Sequence, residues 1–593
     1  MLDLLRLLRV PTIDADTGYD ISPDGTKIAF SWNLSGQWEI YEVSLAPGAQ
    51  PVQLTSGPGG KFAPRYAPDG TRLAYVVDLD GGENYHLFLH TFTTDIHRDL
   101  TPDIDYALQP SFDWSSDGKR VAILSNRTGC FSTYILDVEN AKEQLVLENG
   151  CPAMQVRWSS CGDRLAVCAE TGGQDYGIFL VSLLDGPPTQ ISDGGIPLNA
   201  HDPCWSPDGS LLAFCSDAEG YYNIGVYDLA SRQVSWLTRD EGDKTHPDWS
   251  PDGQHLAAVV SQGADTWLSL IDIQGQTSSC RGGRGLHSLP RFTPDGQGLV
   301  CIFDSPCQPP DLWLLSLLDG TARQLTCSLP DDLLPEQFVM PEEISYPGQD
   351  GVGVPALLYR PHGVSGPVPA VVNIHGGPGW LYQYAWYPLM AHLASRGWVV
   401  LAPNYRGSTG YGRAWQLANR FDIGGVDTRD VGAGAEYLIR QGLADPGRLA
   451  VTGRSHGGYL TMTCLTQFPE LWAGGSAVVP FLNWFTAHDN SRSDLQHWDI
   501  ENMGSPEENH DLWLERSPFF YLDQVHTPVQ LICGAHDPRC PASESMAARD
   551  RLLSLGSEVD FHLYPDEGHV FLKVDNLIDS EQRRVDFLAR LLK

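Results

Sequence analysis

One short phrase recurs seven times in the first half of the chain, and it constrains the fold more than any other feature. DISPDGTKIAF, RYAPDGTRLAY, FDWSSDGKRVAI, RWSSCGDRLAV, CWSPDGSLLAF, DWSPDGQHLAA and RFTPDGQGLVC place turn glycines at Gly25, Gly70, Gly118, Gly162, Gly209, Gly253 and Gly296. Successive glycines are 45, 48, 44, 47, 44 and 43 residues apart, the length of a four-stranded propeller blade. Within the turn, Pro presets φ, Asp can bond its own backbone and Gly accepts positive φ, so S-P-D-G joins two strands at little cost. Apolar strands follow each turn, such as KIAFSW and RLAYVVD, then a second set such as YHLFLHTF and YNIGVYDL, then short outer segments such as PVQLTS and ARQLTC. Residues 10–335 are thereby predicted to form a seven-bladed β-propeller. Blade one is expected to open with an inner strand near Ile13 and blade seven to close with an outer strand near Gln324, giving a ring without strand exchange. Trp114, Trp158, Trp205 and Trp249, each just before its turn, are read as packing between blades.

Nothing in the repeats names a ligand, so composition is needed to bound the partners. Thirty-nine basic against 74 acidic residues give a formal charge of -35. Such a field repels phosphate backbones and anionic lipid, which argues against nucleic-acid or membrane binding. Thirteen cysteines are scattered without a C-x-x-C pair or metal-ligand spacing, so no metal or cofactor is implied and they are read as reduced thiols of a cytoplasmic protein. The opening MLDLLRLLR has an apolar face interrupted by Asp3, Arg6 and Arg9. Residues 1–9 are therefore expected to dock as a short helix on the second domain rather than to act as a signal or membrane span.

From residue 336 to 593 the pattern changes. Apolar runs PAVVNI, WVVLAPN, RLAVTG, PVQLICG and EVDFHLYP alternate with helix-length segments, the signature of a mostly parallel sheet wrapped by helices, as in an α/β-hydrolase domain. In VTGRSHGGY, Ser455 lies between Gly453 and Gly457 as G-x-S-x-G, after a strand and before a helical run, which is the setting of a nucleophile elbow. A serine hydroxyl needs a base and an orienting carboxylate, which in this fold follow in the order acid, histidine. Asp537 in GAHDPRCP and His569 in YPDEGHVF occupy those places. The glycine-rich NIHGGPG makes the backbone N–H groups of Gly377 and His456 the expected oxyanion donors. The pocket for the residue before the cleaved bond is expected between Ala477 and Phe485 and in the loop after Trp380, with an apolar lining.

The propeller repeats followed by HGGPG, NYRGSTGYG, GRSHGGY, HDPRCP and DEGHVF resemble the prolyl oligopeptidase family of serine peptidases, especially its acylaminoacyl-peptidase branch. The resemblance spans essentially the whole chain. It implies Ser455, Asp537 and His569 as triad, Gly377 and His456 as oxyanion donors, and Arg539, in the D-x-R motif, as a ligand for a substrate carbonyl. It further implies a propeller that roofs the site and admits short peptides or acyl amides, and possible homo-oligomers. His375 stands where proline-specific relatives often carry a tyrosine, which argues against strict cleavage after proline, and the paired glutamates of dipeptidyl peptidases are not recognisable. A broad esterase or amidase of small molecules is the alternative, since a triad is indifferent to its leaving group.

Overall fold

A computed structural model describes residues 1–593 apart from 103–105, 149, 173, 185 and 281–282. Its first half is a seven-bladed propeller. Four consecutive strands form each blade, spanning residues 19–53, 60–99, 108–147, 153–190, 200–236, 243–280 and 286–324. Each turn glycine has φ between 66° and 77°, the left-handed conformation that excludes most side chains. In five of the turns a Ser or Thr hydroxyl donates to the turn aspartate at 2.6 Å, as from Ser22 to Asp24 and from Ser206 to Asp208. That bond locks the corner between the inner and second strands.

Blade one departs from expectation at its start. Its inner strand is Tyr19–Ile21, and Ile13 makes only a single bridge to Trp32. Between them the chain loops out, because the Asp14 carboxylate accepts the N–H groups of Asp16 and Thr17. Among the described residues no strand is exchanged at the seam. Instead the Tyr19 hydroxyl reaches the carbonyls of Leu289 and Val300 on blade seven, both at 2.7 Å, and Arg323 donates to the Leu45 carbonyl. The tryptophans act between blades as expected: the indole N–H groups of Trp114, Trp205 and Trp249 donate to the carbonyls of Arg65, Arg157 and Cys204 on the preceding blade.

The position five residues before each turn glycine forms a second repeat. It reads Asp20, Arg65, Asp113, Arg157, Cys204, Asp248, Arg291, an alternation of charge around the ring of inner strands that an odd number of blades must break once. Cys204 is the break. Each aspartate also ties its blade to the next: Asp20 accepts Tyr66 N–H, Asp113 accepts Trp158 N–H and Asp248 accepts Phe292 N–H, at 2.7–2.8 Å.

The second domain is built on an eight-stranded sheet, β1 (Glu342–Pro347), β2 (Gly353–Tyr359), β3 (Val368–Ile374), β4 (Val399–Pro403), β5 (Ala444–Arg454), β6 (Gly474–Val478), β7 (Val529–Gly534) and β8 (Val559–Tyr564), in the order β1-β2-β4-β3-β5-β6-β7-β8. The β1–β2 and β2–β4 pairs are antiparallel and the rest parallel. This is the α/β-hydrolase arrangement. Strand β6, GGSAV, was not expected from sequence, since its glycines carry little strand propensity; its burial on both faces, not its composition, makes it a strand.

Helix α1 (Leu4–Leu8) docks on this domain. Leu4 packs with Val585, Leu588 and Leu592, and Leu7 with Phe338 and Trp386. Further helices that matter to the site are α2 (His456–Gln467), α3 (Trp484–Asn490) and α4 (Ser493–Met503). No described helix is long and apolar enough to cross a membrane, and none of the thirteen cysteines is in a disulfide.

Candidate active site

Four parallel strands end at the same edge of the sheet, and each delivers one part of the site. Strand β5 runs directly into Ser455, whose φ of 58° and ψ of -123° hold it in a strained left-handed turn before α2. The flanking glycines are obligatory: a Cβ on Gly453 would overlap the Gly457 carbonyl, and one on Gly457 would overlap the Ile374 carbonyl. Strand β7 leads to Asp537 and β8 to His569. The His569 Nε2 lies 2.9 Å from Ser455 Oγ, while its Nδ1 lies 2.8 and 3.0 Å from the two oxygens of Asp537. Asp537 Oδ1 additionally accepts the N–H groups of Arg539 and Cys540 at 2.8 Å each. The carboxylate is thus fixed in place by backbone donors and by the imidazole N–H. All three residues named from sequence come together.

Strand β3 carries the glycine loop. Gly377 and His456 line the pocket at Ser455, and neither backbone N–H has an acceptor among the described residues. His456 is the first residue of α2, where the N–H groups lack intrahelical partners by geometry. His375 serves the loop itself: its ring stacks on Tyr405 at 4.2 Å, Nε2 meets Ser408 Oγ at 2.8 Å and Nδ1 meets the Gly376 carbonyl at 2.6 Å. Burial pulls this imidazole down to about 3, so it stays neutral.

Arg539 lines the pocket at Ser455, but its Nε is paired with Glu83 of the propeller at 2.8 Å. Its two terminal nitrogens have no partner among the described residues. Glu83 sits in the loop between the second and third strands of blade two with φ of 56°, and Asp78 shapes that loop by accepting the N–H groups of Gly81 and Glu83. Arg492 approaches the same carboxylate at 3.6 Å and is itself bidentate to Asp494. Neither Glu83 nor Arg492 was singled out from sequence, because nothing local marks a residue whose partner lies on another domain.

A pocket of about 220 Å³ opens beside Ser455, His456 and Gly377, walled by Phe481, Trp484, Ala487, Leu495 and Trp498. Phe481 and Trp484 fall in the segment expected from sequence, but the other wall belongs to α4, and Trp380 faces a different space. That space is a cavity of about 750 Å³ between the domains, lined by Trp380 and Leu381 and by Asp16, His201 and His246 of the propeller. Cys540 is a further neighbour of Ser455 that sequence left unnoticed; burial pushes its thiol well above the usual range, so it remains protonated. Among the described residues, two groups gather metal-type donors within 4.8 Å, His90, Asp95 and His97, and His201, Asp202 and Cys215. Several of their donors are already engaged: Asp202 accepts from Gln155 and from His246 N–H, and His97 meets the Tyr75 hydroxyl.

Residues 384–593 match the sequence model of the prolyl oligopeptidase family, and residues 18–196 match that of the TolB β-propeller domain. With the nucleophile, base and acid at bonding distance inside the matched region, the assignment is decided. The second domain is a prolyl oligopeptidase family serine-peptidase domain. The uncharacterized peptidase YuxL of Bacillus subtilis is 26% identical across 96% of both chains. The acylamino-acid-releasing enzyme of Rattus norvegicus is 30% identical over 57% of this chain, which spans only 49% of that enzyme's length. Among solved structures, a Mycobacterium tuberculosis puromycin-hydrolyzing peptidase superposes with a TM-score of 0.85 at 20% identity, covering 100% of this chain and 96% of its own. That last likeness speaks for the two-domain fold.

Proposed function

We propose that this chain cleaves short peptides after an amino-terminal residue that carries an acyl block. Ser455 Oγ attacks the scissile carbonyl while His569 Nε2 takes its proton, and Asp537 holds the imidazolium that forms. The oxyanion is received by the N–H groups of Gly377 and His456, each worth on the order of 10² to 10³ in rate. His569 then passes the proton to the departing amine, leaving an acyl-enzyme, and water repeats the cycle in reverse roles.

The observation that carries the acyl preference is the Glu83–Arg539 pair. The Glu83 carboxylate of the propeller is occupied by Arg539 at 2.8 Å and approached by Arg492 at 3.6 Å, so it is neutralised and poorly placed to attract a free ammonium. The unpaired terminal nitrogens of Arg539 instead offer donors to a carbonyl, such as that of an acyl block. The name of the rat relative is in keeping with this reading. Asp16 supports a second reading, an aminopeptidase: its carboxylate is exposed to the interdomain cavity close enough to Arg539 to feel its charge, and a free amine could settle there. The propeller roof favours short substrates in both readings, and the acidic, disulfide-free chain is in keeping with a cytoplasmic setting.

The test is a panel of initial rates on acetylated amino-acid amides, free amino-acid amides, blocked proline-containing peptides and a short ester, with wild type and Ser455→Ala. Acetylated amides should lead, and the variant should lose about 10⁶ in turnover. Free amides in the lead would move the reading to Asp16 and an aminopeptidase; an ester far ahead of every amide would make the chain an esterase.

A further inference from the structure

Away from the catalytic groups and Arg539, the pocket beside Ser455 is walled mainly by aromatic and aliphatic side chains, with Ser491 and Asp499 as the polar exceptions. Helix α4 presents Leu495, Trp498 and Asp499 to it, a spacing of i, i+3 and i+4 that puts all three on one face of the helix. Opposite stand Phe481, Trp484 and Ala487. A carboxylate in such a wall is costly unless something pairs with it. Asp499 is only half provided for: its Oδ2 lies 3.1 Å from His488 Nδ1, whereas Oδ1 has no hydrogen-bond partner among the described residues.

We infer that Asp499 is a specificity-determining residue, whose free Oδ1 accepts a hydrogen bond from a donor at the tip of an aromatic substrate side chain, so that a tyrosine-type phenol is preferred over phenylalanine. The inference rests on the reading of this pocket as the one that takes the side chain before the cleaved bond. The aromatic walls select a flat ring, and a phenol hydroxyl is the group that completes a half-satisfied carboxylate without bringing charge. A cationic side chain is a poorer match. The hydrogen bond that His488 donates to Asp499 raises the affinity of the imidazole for its proton, with Asp489 and Glu507 adding to the effect, so His488 already offsets part of the charge that a guanidinium or ammonium would cancel. Discrimination of this kind can be large, because the site loses a bond when the hydroxyl is missing.

The experiment measures kcat/KM of the full chain on one series of acetylated amides that differ only in the residue before the cleaved bond: phenylalanine, tyrosine, 4-methoxyphenylalanine, leucine and lysine. Tyrosine should exceed phenylalanine by about tenfold, and 4-methoxyphenylalanine, which has lost the donor, should fall back to the phenylalanine level or below. Asp499→Leu should bring the tyrosine-to-phenylalanine ratio to about one while phenylalanine is still cleaved. Equal rates on tyrosine and phenylalanine in wild type, or lysine ahead of both, would overturn the inference while leaving the peptidase reading intact. So would Asp499→Leu lowering both aromatic substrates by the same factor, which is what a purely structural tie between α3 and α4 would do. Should no aromatic amide be cleaved while small ones are, the reading of the pocket itself would fall.

Discussion

Gly568 and Gly81 meet backbone to backbone: a Cβ on Gly568 would overlap the Gly81 carbonyl, and a Cβ on Gly81 would stand 2.8 Å from the Gly568 nitrogen. One precedes His569 and the other lies in the blade-two loop that carries Glu83. The same loop offers the Asp80 carbonyl to His536 at 2.8 Å, next to the acid. The propeller therefore presses on the two loops that hold Asp537 and His569, and the triad geometry depends on a neighbouring domain.

Gly568→Ala should accordingly lower kcat/KM by about a hundredfold, the cost of displacing a catalytic group by roughly 1 Å, while leaving the chain folded. Circular dichroism and thermal melting close to wild type, together with slowed labelling of Ser455 by a fluorophosphonate, would be the expected pattern. Gly568 has no positive φ, so strain at the residue itself would not account for the loss. Unchanged kinetics would mean that the blade-two loop yields without moving His569.

The contrast between the triad and Glu83 shows what the amino-acid sequence discloses. The triad was legible because each member sits beside a strand end in a motif with its own local geometry, and the blades were legible because one turn recurs. Glu83, Arg492 and Asp499 lie in stretches with no motif; the roles of Glu83 and Arg492 arise only when residues hundreds of positions apart are folded together, and that of Asp499 only when α3 and α4 pack beside Ser455. Blade one shows a different limit. The loop at Asp14 interrupts an inner strand that looks continuous, because its cause is a side chain bonding its own backbone rather than a break in apolar patterning. The charged ring lies between these cases: its register is visible once the turn glycines are aligned, but its meaning depends on the strands facing one axis.

That ring makes a stability prediction. Arg65 stands between Asp20 and Asp113, whose charges both favour its protonated form against burial. Arg65→Met would remove one of the two arginine charges beside each aspartate, leaving Asp20 with Arg291 and Asp113 with Arg157, and would free the Tyr19 carbonyl that Arg65 Nη1 donates to, so the cost should be about 1.5–3 kcal/mol, that of a charged hydrogen bond. The propeller should unfold at lower denaturant. Cys204→Ala, at the position where alternation is broken, should cost far less. Equal midpoints for the two variants would show that the alternation carries no weight.

Asp304 makes the stability of the chain depend on pH. It is buried in blade seven, where it accepts the Trp386 N–H of the hydrolase domain at 2.7 Å, and burial raises its carboxyl from 3.8 to about 7. Because the folded state holds a proton that the unfolded state has released, stability should fall as pH rises from about 4 to about 7 and level off above, by up to a few kcal/mol. Asp304→Asn should flatten this part of the curve. Urea midpoints for wild type and variant between pH 4.5 and 8 would measure it, and parallel curves would rule out Asp304 as the source.

The Glu83–Arg539 pair gives the most direct link between the propeller and substrate binding. Glu83 is 6% exposed and supplies the anchor that fixes the Arg539 side chain at its Nε, which leaves the terminal nitrogens aimed by a rigid fork. Glu83→Gln keeps the volume of the side chain and removes the charge, so Arg539 should wander and KM for acetylated substrates should rise by about tenfold, as loss of a charged hydrogen bond worth 1.5–3 kcal/mol permits. The chemical step depends on Ser455, His569 and Asp537, so kcat should change less. Arg539→Ala should raise KM at least as much, and adding Glu83→Gln to it should have little further effect, because both act through the same contact. Full additivity in that double-mutant cycle would instead mean that Glu83 touches the substrate on its own account, which is the outcome the aminopeptidase reading requires.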